Sequence, residues 1–190
     1  MAGGAGRIWV AYRLKKTVAL IGMMGSGKTA VGNALARMLN VPFVDSDEAI
    51  ERAADRTVAE IFQRDGEPFF RARETEVLAR LMSGPPCVLS TGGGAFLAPA
   101  NRDIIAGKGV AVWLKADLDL LWQRVRHKTT RPLLRTPDPR ATLAGLLAAR
   151  EPVYALAQLS VEAAPDYSIE DMTGKVLSAL SARPDILETT

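Results

Sequence analysis

Gly22, Gly27, Lys28 and Thr29, in the stretch ALIGMMGSGKTAVG, stand in the fixed places of the pattern G-x-x-x-x-G-K-[ST]. Glycines at those places let backbone N–H groups wrap an anion, and the helix N-terminus that follows adds its partial positive charge. Lys28 then reaches the outer phosphates of a nucleotide and the Thr29 hydroxyl serves magnesium, while Gly25, Ser26 and Ala30 complete the anion cradle. A glycine-rich turn that binds nothing is the competing reading. The flanks weigh against it, because residues 18–21 form a buried strand pattern and Val31, Leu35, Met38 and Leu39 fall at helical spacing.

Further clusters carry possible chemistry. In FVDSDEAI, Asp45 and Asp47 stand two residues apart, so on an extended chain both carboxylates face one side. One can hold magnesium through water while the other orients an acceptor hydroxyl or takes its proton. Asp45 or Ser46 capping the next helix is the alternative, since both residue types are favoured there. In LSTGGGAF, Gly92, Gly93 and Gly94 remove every side chain where a sheet edge would meet a ligand, although three glycines also make a plain flexible turn. EPFFRARETEVLARL puts Arg71, Arg73 and Glu74 on an amphipathic helix, where such charges ordinarily face solvent. Arg150, in LLAAREPVY, suits the end of a helix dipole. Residues 124–139 are basic and broken by prolines, which reads as a mobile surface loop usable as a lid.

The elements that must position these residues follow from the apolar pattern. Short runs at 17–22, 42–45, 87–91, 110–114 and 159–163 read as five strands, with helical patterns between them. That alternation predicts an α/β fold, three layers with a five-stranded parallel sheet, whose ligands gather at the carboxyl ends of the strands. At 190 residues, 48% hydrophobic and 24% charged, the chain fits one domain at 17–190 behind a flexible extension at 1–16. No apolar run is long enough for a bilayer, and a lone Cys87 in an apolar run points to a small buried thiol and a reducing, cytoplasmic setting. The formal charge of +3 comes from scattered basic residues, mostly arginine, with little aromatic interleaving; small anionic substrates explain it as well as nucleic acid does, and neither a nucleic-acid nor a membrane partner is expected.

With GMMGSGKT, DSD, FRARE, TGGG, RPLL and the pair Arg150 and Tyr154 in this order, the chain resembles the bacterial shikimate kinases. These belong to the nucleoside-monophosphate-kinase-like group of P-loop enzymes, and the likeness spans about residues 17–183. The resemblance implies a monomeric enzyme that moves the γ-phosphoryl group of ATP in line onto a shikimate hydroxyl, with Mg2+ as cofactor. It assigns Asp47 to the substrate hydroxyls and to the base, and Asp45 with Thr29 to magnesium. Arg71 and Arg150 then grip the carboxylate, where guanidinium forks fit better than lysine. Gly93 and Gly94 offer backbone to the substrate. Arg131 is the lid arginine that closes on the transferring phosphoryl, Arg124 stacks on adenine, and Pro165 lines its other face. Ser46 replaces the usual threonine of the acidic motif, and no acidic residue ends the third strand, so Asp45 takes that metal role. His127 reads as a solvated loop residue. Two other readings remain: another small-metabolite kinase such as a gluconate kinase, and a regulator that binds ATP without turnover.

Overall fold

The computed structural model describes residues 11–127 and 132–189. The chain runs β1 (Tyr12–Leu14), β2 (Thr17–Ile21), α1 (Lys28–Leu39), β3 (Phe43–Asp45), α2 (Ser46–Ala54), α3 (Val58–Met82), β4 (Val88–Ser90) and α4 (Pro99–Lys108). It continues as β5 (Gly109–Lys115), α5 (Leu118–Val125), α6 (Pro139–Tyr154), β6 (Leu159–Glu162), α7 (Ile169–Ser181) and β7 (Leu187–Thr189). Five strands form a parallel sheet in the order β3-β4-β2-β5-β6. All five expected strands are present, with ends shifted by one or two residues.

The inner strands β4, β2 and β5 are buried runs because the sheet is covered on both faces there, whereas the edge strands β3 and β6 are only partly buried. Every residue of β2 is buried, and β5 is buried from Gly109 to Leu114. The chain leaves β2 toward β3, returns to β4 between them, then crosses to β5 on the other side. The connections therefore diverge at the carboxyl ends of β2 and β4, the place where open α/β sheets hold ligands. A smaller apolar cluster of Ala49, Ile50, Ile61, Phe70 and Val77 ties α2 to α3 beside that edge. Within α3 the helix is interrupted at Gly66, which has φ 80 and ψ 172, two residues before Pro68.

One expectation is corrected. Of the segment 1–16 read as a flexible extension, Tyr12–Leu14 is a strand paired antiparallel with Leu187–Thr189, and residues 1–10 lie outside the described residues. Leu14 and Leu187 are buried under this pair, and Lys15 N donates to Ile186 O at 2.8 Å. A three-residue strand shows too little alternation to be read, and its partner lies at the far end of the chain. The basic stretch at 124–139 is also less of a loop than expected. Arg124 is still in α5, residues 132–134 form a 3-10 turn, and α6 begins at Pro139.

Candidate active site

A cavity of about 1240 Å3 opens at the carboxyl ends of β2, β3 and β4, and nearly every described candidate residue lines it. The glycine loop after β2 forms one wall. Gly22, Gly25 and Gly27 have φ of 140, 83 and 98, a region that favours glycine. Close approach adds to this at Gly25, where a Cβ would lie 2.7 Å from Val125 Cγ1 of α5. Gly27 caps α1, so the helix axis points its N-terminus into the cavity, with Thr29 and Ala30 on its first turn. Lys28 Nζ donates to the carbonyls of Gly22 and Met23 at 2.8 and 2.9 Å, which folds the lysine back over its own loop. The Ser26 hydroxyl is buried within the loop and has no hydrogen-bond partner among the described residues. Arg124 reaches across from α5, its Nη1 donating to Gly25 O at 3.2 Å.

Asp45 and Asp47 both line the cavity, but not as two positions on a strand. Asp45 ends β3 and caps α2, its Oδ1 accepting from the backbone N–H of Asp47 at 2.9 Å and of Glu48 at 3.4 Å. The helix begins at Ser46, so Asp47 sits on its first turn. The capping alternative therefore holds for Asp45, which also lines the cavity, since a carboxylate can cap with one oxygen and leave the other open. Ser46 is buried, and its hydroxyl accepts from Gly92 N at 3.2 Å, which binds the acidic segment to the triple glycine. Burial first, then the neighbouring charges of Asp45 and Glu74, push the Asp47 carboxyl up from 3.8 to about 6, against the pull of Lys28.

The triple glycine is where the charged groups converge. A Cβ on Gly92 would lie 2.7 Å from Asp47 Oδ1, on Gly93 3.3 Å from Arg150 Nη1, and on Gly94 2.5 Å from Arg71 Nη2. Each glycine therefore admits a different charged side chain, one from α2, one from α6 and one from α3. Neither Arg71 nor Arg150 is the fully solvated residue its local sequence suggests. Arg71 donates to Glu74 at 2.8 Å and to Glu67 at 3.3 Å, and the Glu74 side chain is only 2% exposed. Burial pushes the Glu74 carboxyl up, opposed by Arg71, and its Oε1 has no partner among the described residues. Arg73, by contrast, does pair with Glu76 on an exposed face, as the helix pattern predicts.

Other candidates fall less closely on the cavity. Pro165 is exposed in the turn after β6 and does not line it; the neighbouring Tyr167, Ser168 and Ile169 do. His127 is exposed in a turn, Cys87 is buried beside Thr17, and Arg131 lies outside the described residues. Sequence reasoning treated Glu74 as a surface charge and passed over Phe62, Phe70 and Met24, all of which line the cavity. The spacing of Arg71 and Glu74, three apart on a helix, was the available signal for the ion pair. The apolar residues carry no such signal, since a cavity wall and a core look alike in sequence.

A glycine loop feeding a helix, a lysine folded over it and an acidic strand end two positions away in the sheet, beyond β4, define a P-loop kinase of the α/β/α type. The family profile for shikimate kinase matches residues 24–181. The chain is similar to a shikimate kinase of Cereibacter sphaeroides, with 68% identity over 95% of this chain and 90% of that one. It is similar to one of Ruegeria pomeroyi at 62%, covering 94% of this chain and 91% of the relative. Among solved structures, a shikimate kinase from Acinetobacter baumannii in complex with shikimate superposes with a TM-score of 0.82 at 38% identity, covering 88% and 93% of the two chains. The chain belongs to the shikimate kinase family. A gluconokinase from Sinorhizobium meliloti shares the fold at a TM-score of 0.61, with 18% identity over 90% of this chain and 94% of that one.

Proposed function

We propose that this chain transfers the γ-phosphoryl group of ATP to a hydroxyl of shikimate, giving shikimate 3-phosphate for aromatic amino-acid biosynthesis. The observation that carries the reading is the meeting of Asp47, Arg150 and Arg71 on three consecutive glycines beside a phosphate loop. Two guanidinium groups suit a carboxylate, and a carboxylate with a raised pKa suits a hydroxyl that must be aligned or deprotonated. Shikimate offers both groups. Gly93 and Gly94 bring backbone to it without a side chain between.

Phosphoryl transfer is mainly a matter of positioning and charge neutralisation, so the roles divide accordingly. Gly25, Ser26, Gly27 and Ala30 cradle the phosphates, Lys28 turns from its loop carbonyls to the outer phosphates, and Arg124 covers adenine. Arg131, outside the described residues, holds the lid role through its place in RPLL. The Thr29 hydroxyl and the Asp45 carboxylate are hard oxygen donors facing the cavity, a set that fits Mg2+, which keeps several waters and draws its other ligands from the phosphates. Bound there, the cation neutralises charge on the β- and γ-phosphates. Asp47 aligns the acceptor hydroxyl and takes its proton. No helix among the described residues is long and apolar enough to cross a membrane, and the reading places the enzyme in the cytoplasm as a monomer.

Arg71→Lys tests the carboxylate grip, because it keeps the charge and loses the planar fork. Losing a hydrogen bond to a charged group costs on the order of 1.5–3 kcal/mol, roughly ten- to 150-fold in affinity. Calorimetric titration of shikimate should show that loss in a variant whose circular dichroism matches the wild type. Equal affinities would return Arg71 to a structural role with Glu74.

A further inference from the structure

Tyr154 is the largest fully buried side chain in the described residues, with its ring at 6.1 Å from that of Trp113. A buried tyrosine needs a partner for its hydroxyl, and this one spends its single proton on the carbonyl of Gly93. Its oxygen faces the Arg150 guanidinium one helical turn earlier and lies 3.9 Å from Met23 Sδ of the phosphate loop. One hydroxyl thus joins three parts of the site: the triple glycine, the α6 arginine and the loop after β2.

The carbonyl of Gly93 and the N–H of Gly94 belong to one trans peptide plane and point in opposite directions. Fixing the carbonyl on Tyr154 therefore fixes the N–H. Gly93 and Gly94 line the cavity while Tyr154 stands behind them in the core, so the Gly94 N–H is turned from the core toward the cavity. The preceding peptide is held in the same manner, with Gly92 O accepting from Ala95 N at 3.1 Å and the Gly93 N–H on the opposite side. Neither the Gly93 nor the Gly94 N–H has an acceptor among the described residues. Glycines are free to rotate such peptides, and among the described residues the Tyr154 hydroxyl is the hydrogen-bond donor that holds the Gly93 carbonyl against the turn.

We infer that Tyr154 is a positioning residue for substrate binding: by holding the Gly93 carbonyl and the Arg150 guanidinium together, it aims the Gly94 N–H at an oxygen of the acceptor substrate. The inference rests on the reading of shikimate as that substrate. It concerns the acceptor side alone, since the phosphate cradle has its own backbone.

Tyr154→Phe removes the hydroxyl and keeps the ring. Steady-state kinetics should show KM for shikimate raised by about five- to thirtyfold, the loss of one or two directed hydrogen bonds, with KM for MgATP within about twofold. Para-aminophenylalanine at 154 puts a donor back at the same place and should recover most of the shikimate KM. An unchanged shikimate KM, a parallel rise in both KM values, or no recovery with the amino group would overturn the inference. If the phenylalanine variant does not fold, 3,5-difluorotyrosine at 154 carries the test. Its hydroxyl loses its proton at lower pH, so its shikimate KM must rise on the alkaline side where the wild type stays level, and a level profile overturns the inference. Wild-type protein without shikimate-dependent turnover would instead defeat the substrate reading, so the two failures are distinct.

Discussion

At the scale of single residues, Asp47 sets function against stability. Its carboxyl titrates at about 6 in the folded chain and at 3.8 ordinarily, chiefly because it is buried. Between those values the native state holds a proton that the unfolded state has lost, so this group's contribution lowers stability as pH rises from about 4 to 6, and the full penalty stands above that range. Asp47→Asn relieves the buried charge. At about pH 8 the variant should unfold at a higher temperature than the wild type while its turnover falls by about 10²–10⁴-fold, the usual worth of a positioned base. In the wild type, kcat/KM measured with both substrates well below saturation should fall by about one decade per pH unit below about pH 6. A variant that is both less stable and fully active would remove Asp47 from the site. The same residue also shows why the sequence was read only in part. Two acidic residues two apart were legible as a pair and Asp45 as a helix cap, but the hydrogen bond that ties the segment to the triple glycine, Gly92 N to the Ser46 hydroxyl, spans 46 positions and leaves no local signal.

At the scale of elements, the strands and the phosphate loop were legible because their signals are local: continuous apolar runs, glycines, and a helical period that starts at Lys28. The β1–β7 pair was not, since three-residue strands have no period and their pairing spans the whole chain. The acceptor side was legible as residue types and not as geometry. Arg71 and Arg150 look like ordinary helix charges until α3 and α6 are folded against the triple glycine. The turn of α3 at Gly66 does much of this placing. Val58, Ala59 and Phe62 before it and Phe70, Arg71 and Glu74 after it all line the one cavity, which a straight helix over 58–82 would not allow as readily. A Cβ on Gly66 meets only Pro68 Cδ at 3.8 Å, so Gly66→Ala introduces no clash and tests the φ of 80 alone. The expected cost is about 1–2 kcal/mol, read as a lower urea midpoint at unchanged slope. A midpoint equal to the wild type's would mean that the backbone there is not left-handed.

At the scale of the whole molecule, the fold does not choose the substrate. The gluconokinase from Sinorhizobium meliloti shares the architecture at a TM-score of 0.61 with only 18% identity. The reading of the substrate rests instead on the charges at the triple glycine, two arginines and one aspartate, which suit an acceptor with both a carboxylate and ring hydroxyls. The formal charge of +3 agrees with a preference for anions but selects none of them. The most direct measurement is ADP release by the purified chain from ATP, with shikimate, gluconate or a nucleoside monophosphate as acceptor, with magnesium present or chelated. Release should require both shikimate and magnesium and should yield shikimate 3-phosphate in equal amount, with the other acceptors near background. Comparable turnover of gluconate or of a nucleotide, or ADP release indifferent to shikimate, would contradict the account.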